Sequence, residues 1–164
     1  MFSKDILDLA TAVLTAARLR GMMLVTAESC TGGLIAGALT EIAGSSDVFD
    51  RGFVTYSNEA KSQMLDVSAE SLTRFGAVSA AVAKEMAYGA LANSRGDISV
   101  AVTGVAGPGG GSAEKPVGLV WIGVACLGQA PVAYEYRFGD IGRDRVRQLT
   151  ITEALKTLYL VISD

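Results

Sequence analysis

The sequence predicts a layered α/β domain with a mixed sheet, and three observations carry that expectation. Helical and strand patterns alternate through the first half of the chain, two adjacent strand patterns joined by a short turn fill the second half, and no linker divides the 164 residues. Strands separated by helices can pair in parallel, whereas a hairpin pairs antiparallel, so both arrangements belong to one sheet.

Ile6, Leu7, Leu9, Ala10, Val13, Leu14 and Ala17 follow helical spacing, and Gly21 stands where a helix commonly stops. Met22 to Ala27 reads as a short buried strand, interrupted by Glu28-Ser29-Cys30-Thr31 and Gly32-Gly33. A second helix carries Leu34, Ile35, Ala38, Leu39 and Ile42 to about Gly44. Phe49 to Tyr56 has strand character, after which Ser57 can cap a helix holding Asn58, Glu59, Lys61 and Met64. Ser79 caps a further helix through Asn93, ended by Gly96 and Asp97. Ile98 to Thr103 suits a central strand running into the glycine-rich stretch Gly104 to Ser112, where ligand loops of α/β folds gather. Gly118 to Leu127 and Val132 to Phe138 form the hairpin pattern around Gly128-Gln129-Ala130-Pro131. The last helix starts near Asp140 to Arg143 and runs towards Ile162, with Val146, Leu149, Leu155, Leu158 and Leu160 as its inner side.

Composition limits the chemistry. Half of the residues are hydrophobic and 19% are charged, which supports a filled core, and the 19 glycines follow no period, which excludes collagen-like chains. A net charge of -3 disfavours a protein whose main task is holding nucleic acid. With no histidine, the His-dependent triads, imidazole metal sites and a histidine base are all excluded. Cys30 and Cys126 show no metal-binding or disulfide spacing, so no metal is expected and a reducing, cytoplasmic setting is. Charges at Lys4, Asp5 and Asp8 break the start of the chain as a signal peptide would not, and no apolar run is long enough to cross a bilayer. The apolar composition makes a homo-oligomer, with a dimer favoured, the expectation for assembly.

Four segments can carry chemistry. Glu28 to Gly33 places Ser29 at a strand end beside outward amides, which suits a nucleophile next to an oxyanion site; equally, Ser29 or Thr31 can simply cap the helix and Cys30 fill the core. Tyr56 to Lys61 puts a phenol and an amine at a helix start. An ordinary lysine, with a pKa of about 10.4, is charged at neutral pH, so Lys61 can deprotonate Ser29 only if desolvated or placed near another cation; a solvated Lys61 and a packing Tyr56 are the plainer reading. Val102 to Pro108 brings backbone close to a ligand, yet it is neither a Walker A loop nor a GxGxxG fingerprint, since Ser112 stands where the third glycine is required. Arg143, Arg145 and Arg147 alternate at the last helix's start, so at most two can converge on one phosphate, and solvated side chains are the alternative for each.

In their order and approximate spacing, Ala27-Glu28-Ser29-Cys30-Thr31-Gly32-Gly33, Tyr56-Ser57-Asn58-Glu59-Ala60-Lys61, Val102-Thr103-Gly104-Val105-Ala106-Gly107-Pro108 and Gly142-Arg143 to Arg147 closely resemble the C-terminal domain family of competence/damage-inducible protein A, CinA. The resemblance covers nearly the whole chain, and longer members of the family also carry an N-terminal domain. It implies one three-layer α/β/α domain over residues 1–164. It also implies a stand-alone nicotinamide-nucleotide amidase, an NMN deamidase of pyridine-nucleotide salvage, which turns nicotinamide mononucleotide and water into nicotinate mononucleotide and ammonia without a cofactor. Ser29 is then the nucleophile, Lys61 its base and Tyr56 an assistant that positions the ring or relays protons. Thr31, Gly32, Gly33, Asn58, Thr103, Gly104, Gly107, Arg143 and Arg145 form the substrate-binding set. The oxyanion donors are amides either around Thr31 to Gly33 or at the Thr103-Gly104 turn, and phosphate falls to the glycine loop with Arg143 or Arg145. Two alternatives stay open: a nucleotide-binding or regulatory domain without hydrolysis, and a Ser-Lys amidase for another small molecule.

Overall fold

The computed structural model describes residues 2–164. Its elements run α1 (Lys4–Arg20), β1 (Leu24–Glu28), α2 (Leu34–Thr40), a 3-10 turn (Ser45–Asp47), β2 (Phe49–Val54), α3 (Asn58–Leu65), α4 (Ala69–Phe75), α5 (Ala80–Ala92), β3 (Ile98–Gly104), β4 (Leu119–Cys126), β5 (Val132–Arg137) and α6 (Arg143–Ser163). The five strands lie in the order β2-β1-β3-β4-β5. β2, β1 and β3 are parallel; β4 pairs antiparallel with β3 and with β5. The sheet is mixed for the reason the sequence offers: helices separate the first three strands and a turn joins the last two.

Strand alternation sends side chains to two cores. Leu24, Ile98, Val100, Val102, Ile122 and Val124 meet α1, α2 and α6 on one face. Val25, Ala27, Ala101 and Ala125 meet Leu65 and α5 on the other. The three layers follow directly. On that second face α3 rests against α5 at Gly89, where a β-carbon would overlap the Leu65 carbonyl. A glycine there lets the helix that carries Lys61 pack closely against α5.

Several helix ends match their sequence signals. Gly21 caps α1 in the left-handed conformation, and the Ser57 and Ser79 hydroxyls accept from Ala60 N and Val82 N. Two features differ from the sequence expectation. α4 is a separate short helix, set off from α3 by Asp66 at φ 56° and capped by Ser68. Leu160, expected on the inner side of α6, is 62% exposed. The buried stripe runs through Leu155, Leu158 and Ile162, and a residue two places beyond Leu158 turns away by roughly 200° at 3.6 residues per turn.

What the fold gives to function is one sheet edge. The C-terminal ends of β1, β2 and β3 lie side by side, with Glu28 opposite both Val54 and Val102. The chain leaves those three ends as Ser29 to Gly33, Thr55 to Lys61 and Val105 to Pro108, and a crevice beyond such ends is where open α/β sheets bind ligands.

Candidate active site

Ser29 follows the last residue of β1, and its amide donates to Val102 O at 3.1 Å, which continues the ladder one step past the strand. The side chain is half-buried at the tip. Lys61, in the first turns of α3, reaches it from another segment: Nζ lies 3.0 Å from Ser29 Oγ and 2.8 Å from Thr55 O. Lys61 is only 1% exposed and is among the largest fully buried side chains. No carboxylate pairs with it among the described residues. Burial therefore lowers its pKa from the ordinary lysine value, because the charged form loses water without gaining an anion. A neutral amine fits both contacts, since it donates one N–H to Thr55 O and accepts the Ser29 hydroxyl proton on its lone pair.

Behind Ser29 lies a group to which the sequence reading gave no role. Glu28, fully buried, accepts from Thr31 Oγ1 at 2.6 Å, Gly33 N at 3.1 Å and Ile35 N at 2.9 Å through Oε2, and from Ala36 N at 2.8 Å through Oε1. It satisfies amides that the start of α2 leaves without helical partners, a task Gly33 at the N-cap cannot perform with a side chain. The expectation that Ser29 or Thr31 caps this helix is thereby answered. Thr31 contributes only indirectly, since its hydroxyl is turned to Glu28, and Ser29 does not contribute.

The other expected residues divide into two groups. Tyr56 is joined to the glycine loop through Arg143, whose Nη2 donates to Tyr56 Oη and Nη1 to Gly107 O, both at 3.0 Å. Gly32 and Gly33 sit in the Ser29 turn with φ of 62° and 95°, a backbone suited to glycine. Thr103 is buried and donates its hydroxyl to Ala77 O at 2.8 Å, tying the approach to α5 to the end of β3; Gly104 closes that strand opposite Val120. Asn58 opens α3 and is exposed, without a side-chain hydrogen bond among the described residues. Arg145 is exposed and likewise makes no hydrogen bond there.

Arg147, the remaining member of the run, comes to the site: its Nη2 donates to Thr31 O at 3.0 Å. The signal for it was present, because residues four apart share a helix face whereas neighbours two apart do not. Arg143 and Arg147 accordingly point to the same region. Beside Gly107 the glycine loop borders a cleft of about 540 Å³ lined by Pro108 to Ser112, Val117, Arg137, Gly139 and Asp140.

Cys30 is buried, and loss of water pushes its thiol up to about 12. Near neutral pH it has almost no thiolate to attack with. Cys30→Ala is expected to keep turnover within about threefold, and iodoacetamide at pH 8 is expected to leave Cys30 unlabelled in the folded protein. Loss of turnover in this variant with Ser29 intact would return the nucleophile's role to sulfur.

Among the described residues no helix is long and apolar enough to cross a membrane, and no group of three metal-ligating side chains occurs. Comparison with known proteins agrees with the architecture. A family model described as the CinA C-terminal domain matches residues 6–162. The nicotinamide-nucleotide amidohydrolase PncC of Escherichia coli K12 is 49% identical over 160 residues, covering 97% of this chain and 96% of that protein. A putative competence-damage inducible protein of Caldicellulosiruptor bescii is 53% identical over 139 residues, which are 84% of this chain and 33% of that longer one. Among solved structures, competence/damage inducible protein CihA from Agrobacterium tumefaciens superposes with a TM-score of 0.96 at 55% identity, covering 100% of this chain and 99% of its own. A model match across almost the full sequence, together with relatives of this identity and coverage, establishes that the chain belongs to the CinA C-terminal domain family.

Proposed function

We propose that this protein hydrolyses the carboxamide of nicotinamide mononucleotide, giving nicotinate mononucleotide and ammonia through Ser29 and Lys61. The single observation that carries the mechanism is the 3.0 Å contact between a serine at a strand tip and a buried lysine without an anionic partner. The substrate rests on the full-length likeness to the E. coli nicotinamide-nucleotide amidohydrolase.

Neutral Lys61 takes the Ser29 proton as Oγ attacks the carboxamide carbon, while the bond to Thr55 O keeps the amine aimed. The tetrahedral intermediate collapses as the ammonium of Lys61 returns that proton to the leaving nitrogen, and ammonia departs. An ester to Ser29 remains. Water then gives a proton to Lys61 and attacks the ester carbonyl, and the second collapse restores the Ser29 hydroxyl and releases the acid. Tyr56 positions the ring or relays a proton, and Arg143 holds the nucleotide's phosphate beside the glycine-loop amides. The chain acts as one domain and, on this reading, as a cytoplasmic homodimer in pyridine-nucleotide salvage, with no nucleic acid or membrane as partner.

The test is release of ammonia and nicotinate mononucleotide by the purified protein across neutral to alkaline pH. Binding without either product would leave a nucleotide-binding domain, and hydrolysis of other amides alone would replace the substrate. For phosphate, Arg143→Ala is expected to raise KM about 10- to 100-fold with a smaller change in kcat, the loss appropriate to one charged hydrogen-bonding partner. Arg145→Ala is expected to change KM by less than about threefold, because the exposed side chain makes no hydrogen bond or ion pair among the described residues. Equal losses of kcat and kcat/KM in Arg143→Ala would remove it from phosphate binding.

A further inference from the structure

We propose that Glu28 is a positioning residue for the hydrolytic step, one whose carboxylate fixes the Ser29 turn so that the amides of Cys30 and Thr31 are left to bind the oxyanion. The inference rests on the amidase reading above and assigns the donors of that same site.

The amides after β1 divide by the acceptor each one reaches. From Ser29 to Ala36, Ser29 N donates to Val102 O, Gly32 N to Ser29 O and Leu34 N to Thr31 O. Gly33, Ile35 and Ala36 donate to the Glu28 carboxylate. Cys30 and Thr31 are the members of that run whose amides donate to no other residue among those described. They directly follow the nucleophile, where a strand-to-helix turn supplies oxyanion donors in other hydrolases.

Glu28 also spans both halves of the dyad. Its side chain holds the turn after Ser29, while its main-chain carbonyl accepts from Thr55 N at 2.8 Å, and Thr55 O in turn holds Lys61 Nζ at 2.8 Å. A fully buried carboxylate with no cation in salt-bridge contact among the described residues is costly unless its oxygens are hydrogen-bonded, and the donors here come from the catalytic turn, Thr31 and Gly33, and from the first turn of α2, Ile35 and Ala36. Glutamine keeps the size but places an NH2 where an amide donor must be met, so the turn has to shift. The group acts through the turn and touches no substrate.

The test compares wild type and Glu28→Gln in the intact protein. It uses kinetics on nicotinamide mononucleotide and binding of an aldehyde analogue of that nucleotide, which adds reversibly to Ser29 and puts an oxyanion in the same place. Expected is a fall in kcat of about 100-fold with KM held within about threefold, the size of losing one oxyanion donor. Aldehyde affinity should fall with kcat while affinity for nicotinate mononucleotide stays constant, and Glu28→Asp should lie between wild type and Glu28→Gln. An unchanged kcat in a less heat-stable Glu28→Gln protein would make Glu28 a structural cap and overturn the proposal, as would unchanged aldehyde affinity. If Glu28→Gln does not fold, Thr31→Val removes one of the four donors; kcat lower by about tenfold at constant KM supports the proposal, and an unchanged kcat overturns it. A wild type without turnover overturns the amidase reading and this inference together. An active wild type with an unaffected Glu28→Gln overturns this inference alone.

Discussion

Ser29→Ala is expected to fold as the parent does and to lose turnover by a factor on the order of 10⁴ or more, the scale seen when a serine nucleophile is removed from a hydrolase. The two halves of this expectation have separate causes. Ser29 Oγ has Lys61 Nζ as its hydrogen-bond partner and the side chain is half-buried, so alanine forfeits one hydrogen bond, about 1 kcal/mol, and leaves the main-chain bond to Val102 in place. Chemistry, in contrast, loses the atom that would carry the acyl group. Thermal unfolding and ammonia release, measured side by side, check it. Activity within tenfold of the parent would remove Ser29 from the mechanism.

Lys61→Met should be as damaging to turnover and should not damage the fold. Methionine is close to lysine in shape, and Lys61 lies in a nearly dry position, 1% exposed. Its loss unpairs Thr55 O, a cost of about 1 kcal/mol, but removes an amine that burial penalises whenever it is charged. The sign of the pH dependence follows from the lowered pKa. Between the folded pKa and the unfolded value of about 10.4, the unfolded chain binds the extra proton, so parent stability rises with pH across that window and is least below it. The Tm of Lys61→Met relative to the parent should therefore be most favourable below the folded pKa and become less so as pH approaches 10. Lys61→Arg, permanently charged, should be inactive as well. A methionine variant that unfolds at room temperature, or one that retains turnover, would contradict this account of the residue.

The parts of the site that residue types announce were legible in the sequence. A polar turn after an apolar strand marks Ser29, a serine cap marks the helix of Lys61, and glycines after a central strand mark the loop at Gly107. Their meeting was not legible from spacing, because a separation of 32 positions between Ser29 and Lys61 says nothing of distance. It depends on β1 lying between β2 and β3 with Glu28 level with Val54 and Val102. Glu28 was passed over because carboxylates usually face water, and the partners that hold it inside are mostly backbone amides, which no side-chain pattern reveals. The alternating arginines do not by themselves single out Arg147, which helical geometry places on the face of Arg143, four positions away. α4 escaped notice because seven residues give barely two turns of periodicity, and the left-handed break at Asp66 has no glycine to advertise it.

The central claim is that Lys61 is neutral where it meets Ser29. Selective ¹³C labelling at lysine Cε permits each of the five lysines to be titrated separately by NMR, with Lys61→Met identifying the resonance. The account predicts that Lys61 titrates below the ordinary lysine value, because burial disfavours its charged form, and that kcat/KM rises with pH through that same titration. A Lys61 signal that titrates at or above the ordinary lysine value of about 10.4 would contradict it.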